Sequence, residues 1–233
     1  MALKFLSGSA AALLMLLLAG CGQPRSDDET WGSQPEDRLT GFAFRPEVDR
    51  PLNANEGWAS RTGEAATLPV DRPFRLRIRI EAGPGHPVPR AFALQYRVND
   101  GRWQPVTVSD FPYPATATPP VAVVGTDAYA HGEPTRSVLG EPDGAFLPGT
   151  GMSLRATTPH WAGVDTAGEW SWPLGIRRYG DGPEAIEDGD QIAFRVTDDS
   201  GRVLPAATLP AVTADVPDGH LGGTFIETPG RIG

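Results

Sequence analysis

Apolar and polar residues alternate over four stretches of this chain, and a period of two sorts side chains onto opposite faces of a pleated strand. Phe74, Leu76, Ile78 and Ile80 interleave with Arg75, Arg77, Arg79 and Glu81. Phe92, Leu94, Tyr96 and Val98 repeat the pattern. Trp170, Trp172, Leu174 and Ile176 alternate with Glu169, Ser171, Pro173 and Gly175, and Ile192, Phe194 and Val196 alternate with Gln191, Ala193 and Arg195. The last two stretches bound a polar loop ending in Glu187-Asp188-Gly189-Asp190. They read as two strands covering one side of a β core. Arg75, Arg77 and Arg79 are assigned to the outer face of their strand, solvated beside neighbouring carboxylates, with a sugar or phosphate clamp as the alternative reading.

Asn99-Asp100-Gly101 is a hairpin signal, because these residues tolerate positive φ. It predicts a hairpin over Ala91–Val108, with Trp103, Val106 and Val108 on the returning strand. Shorter strands are expected at Leu39–Phe44 and Ser153–Ala156, and a final edge strand at Ala211–Val216, while Val121–Val124 is a short apolar run. The 28 glycines and 24 prolines fall largely between apolar runs, as turns of an all-β domain require. Neither an internal repeat nor an amphipathic helix past the N-terminus is visible. Strands at this spacing fit a two-sheet sandwich. The Asp-Gly-Asp turn, the alternating strand, the Asp/Gly turn and the last strand resemble the closing strands of immunoglobulin-like and fibronectin type III domains. The expected fold class is therefore an all-β, immunoglobulin/fibronectin-III-like β-sandwich with long loops.

The N-terminus carries an address. Lys4 precedes the apolar run Phe5–Leu18, which is short for a membrane span. The run ends in Leu18-Ala19-Gly20-Cys21, which resembles the lipobox of bacterial lipoproteins. The resemblance implies cleavage before Cys21, lipidation of that residue, and attachment to the cell envelope, with the outer membrane favoured. Cys21 is the one cysteine of the chain, so no disulfide framework is available and the fold must rest on packing. Loss of Lys4 with the leader takes the formal charge from −9 to −10. This balance argues against nucleic acid and against electrostatic adhesion to anionic lipid. The expected organisation is a signal peptide at 1–20, a polar tether at 21–41, a β-sandwich at 42–220 and a tail at 221–233.

Candidate chemistry is sparse. His86, His131, His160 and His220 are scattered with no second ligand at i+2 or i+4, which argues against zinc. The chain has no Gly-x-Ser-x-Gly elbow to support a serine nucleophile. Asp181, Asp188 and Asp190 lie on a glycine-bearing loop whose oxygens suit calcium, although the spacing departs from the EF-hand pattern and an ordinary acidic turn explains them as well. Trp170 and Trp172 share one strand face and are assigned to the core, which leaves Trp161 and Tyr179 as candidate ligand-binding aromatics. No catalytic residue, metal or cofactor is expected.

The segments FALQYRVNDGRWQPV, EWSWPLGIRRYGDGPEAIEDGDQIAFRV and HLGGTFIETPGRIG together resemble an accessory β-sandwich found ahead of sialidase-like β-propellers in exported bacterial proteins. In that family the catalytic residues belong to the propeller, and this chain has none of its Ser-x-Asp-x-Gly-x-x-Trp boxes, so no catalytic residue carries over. Three functions follow as expectations. The leading one is a lipid-anchored, non-catalytic binding or spacer module for a glycan or an envelope protein. The others are the front fragment of a sialidase-like hydrolase and a purely structural envelope lipoprotein.

Overall fold

The computed structural model describes residues 37–46, 51–83, 91–108, 123–125, 133–149, 155–157, 166–177 and 186–217. They form strands β1 (Arg38–Arg45), β2 (Ala66–Pro69), β3 (Pro73–Glu81), β4 (Ala91–Val98), β5 (Gln104–Pro105) and β6 (Thr107–Val108). These are followed by β7 (Val123–Gly125), β8 (Ala145–Phe146), β9 (Arg155–Thr157), β10 (Thr166–Ile176), β11 (Gln191–Thr197) and β12 (Ala211–Asp215). No helix occurs among the described residues. Two mixed sheets result. Sheet A runs β1-β3-β10-β7-β6 with β8 beside β10; sheet B runs β2-β12-β11-β4-β5 with β9 beside β4.

The alternating apolar residues meet where the pattern predicts. Trp170, Trp172 and Leu174 of β10 stand opposite Ile78, Leu76 and Phe74 of β3, and Phe42 and Phe44 of β1 flank Ile78 and Leu76 from the other side. Leu39 and Phe42 both enter the core despite their odd spacing, because an extra residue is accommodated between Leu39 and Gly41. The two sheets share this core. Phe194 of sheet B lies 6.2 Å from Phe44 and 6.4 Å from Phe74 between ring centroids, and Phe92 meets Trp170 edge to face at 5.0 Å. Edge-to-face geometry aligns the positive rim of one ring with the negative face of the other.

Three expectations need correction. β10 and β11 do not lie side by side on one wall of the core; they belong to different sheets. Alternation identifies the buried face of a strand but not the sheet it joins. Ala211–Asp215 is not an edge strand, because β2 pairs with it in parallel, Val212 opposite Ala66 through Asp215 opposite Pro69. The Ala91–Val108 hairpin holds only to Pro105: Asn99 adopts the turn at φ 49° and Gln104 pairs with Tyr96. The chain then crosses over, and Thr107 pairs with Val124 in sheet A.

Candidate functional site: one sealed and one open sheet face

The outer faces of the two sheets differ. On sheet A the arginines read as solvated are buried: Arg45, Arg75 and Arg77 are fully enclosed and Arg79 is 8% exposed. The register explains how four long side chains fit. Arg77 lies between Ala43 and Ser171, and Arg79 between Gly41 and Glu169, so the small residues Gly41, Ala43 and Ser171 leave room beside these side chains.

Two segments distant in sequence then close over them. Residues 51–60 are tied to β1 where Ala59 donates its backbone N–H to the Phe44 carbonyl at 2.8 Å. From this segment Pro51 and Leu52 carbonyls accept from Arg75 Nη1, the Leu52 carbonyl and Asn53 Oδ1 accept from Arg77 Nη2, and the Ala54 carbonyl accepts from Arg45 Nη1. Trp58 completes it, with the Arg45 guanidinium 5.6 Å from its ring.

Residues 133–149 form the second cover. Leu147 donates to the Ala167 carbonyl, and the Thr135 hydroxyl donates to the Glu169 carbonyl. Gly149 passes so close to β10 that a Cβ there would collide with the Glu169 carbonyl oxygen and the Trp170 ring, which makes glycine the residue the contact requires. Asn53 staples the two covers together, accepting from the Arg136 N–H at 2.8 Å and donating to the Pro134 carbonyl at 3.2 Å.

Glu169 is the buried anion of this layer among the described residues, with Glu133 of the second cover acting on Arg75 and Arg77 from farther out. Its side chain is fully buried and takes Arg79 Nη2 at 2.9 Å, the Val138 N–H at 3.0 Å, the Leu139 N–H at 3.1 Å and, more weakly, the Ser137 hydroxyl at 3.4 Å. Arg77 Nε lies 3.7 Å away. A carboxylate so surrounded holds a cover segment to a strand; its oxygens are committed to protein donors. Burial, with Arg45 and Arg77 nearby, pulls the Arg75 pKa down to about 9. Burial likewise lowers Arg77 to about 10, with Glu169 opposing the shift. The direction records the cost of enclosing several like charges.

Sheet B presents the opposite surface. Ala93, Gln95 and Arg97 of β4 and Ala193 and Arg195 of β11 are all half-buried on its outer side. Pro105 pairs with Gln95 and Gln104 with Tyr96, which carries Trp103 to the outer side opposite Arg97. The guanidiniums of Arg195 and Arg97 lie 4.3 Å and 5.0 Å from the Trp103 ring centroid. Arg195 Nε donates to Gln95 Oε1 at 2.8 Å. Among the described residues no carboxylate pairs with either arginine. Burial and then the neighbouring Arg97 push the Arg195 pKa below the usual arginine value. Such stacks strengthen as they are desolvated.

Trp161, Tyr179, Asp181, Cys21 and the four histidines lie outside the described residues. Asp188 and Asp190 are turn-building carboxylates. Asp188 Oδ1 accepts from the Val216 N–H at 3.0 Å, and Asp190 accepts from Asn99 Nδ2 at 2.8 Å and the Glu187 N–H at 2.7 Å. No group of three His, Cys, Asp or Glu side chains suited to a metal occurs among the described residues. Sequence pattern groups Trp103 with Val106 as apolar residues of the returning strand, yet the two differ in parity. Val106 is buried, so Trp103 must face outward. No family model, curated protein or solved structure matches this chain.

Proposed function

We propose that this chain is a lipid-anchored envelope protein whose immunoglobulin/fibronectin-III-like β-sandwich acts as a non-catalytic binding module, with the outer face of sheet B as its binding surface. The asymmetry between the two outer faces carries the reading. Loops seal sheet A over its own arginines, whereas sheet B leaves a shallow surface of small, amide and guanidinium side chains around Trp103. Flat faces of this make-up recognise extended ligands by stacking and by hydrogen bonds. Anchorage rests on Cys21 within Leu-Ala-Gly-Cys. Fifteen residues lie between it and Asp37, a reach of at most about 58 Å when extended.

The test is made in the host cell. Wild-type protein should sediment with membranes, and the Cys21→Ser variant should not. A photo-crosslinking side chain at Thr213, on sheet B, should yield adducts with an envelope polysaccharide or protein. The same group at Arg136, on the sealed side, should yield none. Adducts equal from both faces, or none from sheet B, would refute the binding surface. Membrane retention of Cys21→Ser would refute the anchor.

A further inference from the structure

We infer that the sheet B surface takes an acidic glycan, a linear saccharide bearing carboxylates, whose charge is held by Arg97 and Arg195. The inference rests on the proposed binding surface and names its ligand class. Three observations support it.

The first is charge. Acidic residues outnumber basic ones in this protein, 29 to 20, yet the two guanidiniums that converge on Trp103 have no carboxylate partner among the described residues. Elsewhere on the chain arginines do find acids: Arg38 meets Glu81 at 2.6 Å and Arg202 meets Asp198 at 3.1 Å. Two like charges with no anion beside them among the described residues repel each other, and a bound carboxylate relieves that repulsion.

The second is donor geometry. Arg195 Nε is occupied by Gln95, which fixes the plane of the guanidinium, and its Nη groups have no protein partner among the described residues. A guanidinium oriented in this way presents its fork to a carboxylate as a bidentate donor. Trp103 fixes both guanidiniums from the side.

The third is shape. Ala93 and Ala193 keep the face low beside the arginines, so a linear chain can lie across β4 and β11 with repeated polar contacts. An acidic peptide would seek a free strand edge or an apolar pocket as well. This face offers neutral amide and small side chains instead, which match hydroxyl-rich sugars.

The probe is a galacturonic acid hexasaccharide, compared with the same hexasaccharide fully methyl-esterified and with a neutral glucan hexasaccharide. Binding to the mature chain is measured by calorimetry at low and raised salt. The free acid should bind, the ester should bind about tenfold or more weakly, and salt should weaken the acid alone. The Arg97→Gln/Arg195→Gln variant should lose the difference between acid and ester while its thermal transition stays close to that of the wild type. Equal affinity for acid and ester would overturn the inference and leave the binding face standing as a neutral-glycan surface. Binding of no saccharide would also overturn it, and the photo-crosslinking result then decides separately whether the face binds a protein or nothing.

Discussion

Replacing Glu169 with alanine is expected to lower the unfolding free energy by about 3–5 kcal/mol, the largest loss expected at any polar position among the described residues. The carboxylate is fully buried, bonds the Val138 and Leu139 N–H groups, and is the anion closest to Arg77 and Arg79. Without it two enclosed guanidiniums lose their counter-charge, and two backbone donors of the 133–149 cover lose their acceptor. A typical domain has about 5–15 kcal/mol in total, so this single change removes a large share of it. The comparison that isolates the cause is Glu169→Met with Arg79→Met. The double variant should be less destabilised than Glu169→Ala alone, because removing Arg79 together with the acid leaves one buried guanidinium, Arg77, without this counter-charge where removing the acid alone leaves two. Urea unfolding of the three proteins checks it. A loss under about 1 kcal/mol for Glu169→Ala would mean that the layer is hydrated and the buried pairing is not as described.

Phe194→Ala should cost a similar amount, about 3–5 kcal/mol, for an unrelated reason. Phe194 is fully buried and touches Phe44 and Phe74 of the other sheet, so truncation opens a cavity at the seam between the layers. The surrounding residues are strand-bound and cannot collapse into the space, which places the cost at the upper end of large-to-small substitutions. The denaturant midpoint should fall with little change in slope, because the native compactness persists. A Phe194→Leu variant keeps most of the volume and should recover more than half of the loss. Equal losses for the two variants would mean that a specific ring interaction, not the cavity, accounts for most of the cost.

The parts of the fold that were legible in the sequence are those governed by local periodicity. Phe74 to Ile80, Phe92 to Val98, Trp170 to Ile176 and Ile192 to Val196 all became strands with the expected residues in the core, save Val98, which packs partly buried at its margin. The Asn99 turn was legible because its φ requirement restricts residue choice. What alternation cannot convey is the company a strand keeps. Ala66–Pro69 has neither the length nor the period to announce itself, yet it makes β12 an interior strand. Arg75, Arg77 and Arg79 have the spacing of a solvated face and also that of a covered one. The covers come from residues 51–60 and 133–149, the latter more than fifty positions away. One signal does lie in the neighbouring strands: Gly41, Ala43 and Ser171 are small beside Arg77 and Arg79, but their relevance shows only once the register is known. The sheet B site was legible in part. Arg97 and Arg195 share outward parity with their neighbours, and Trp103 follows once Val106 is placed inside. Their convergence depends on the register between β11, β4 and β5, which no local pattern fixes.

The claim that one outer face is sealed and the other open is tested most directly by arginine modification with phenylglyoxal, read residue by residue by mass spectrometry. The exposed Arg61 and Arg72 serve as references for full reactivity. In the folded mature chain Arg97 and Arg195 should be modified, more slowly than the references because of their stacking on Trp103, while Arg75 and Arg77 should stay unmodified until denaturant unfolds the protein. Modification of Arg75 or Arg77 at the rate of Arg97 and Arg195 would contradict the account, since it would make the arginine row of sheet A a solvated surface after all.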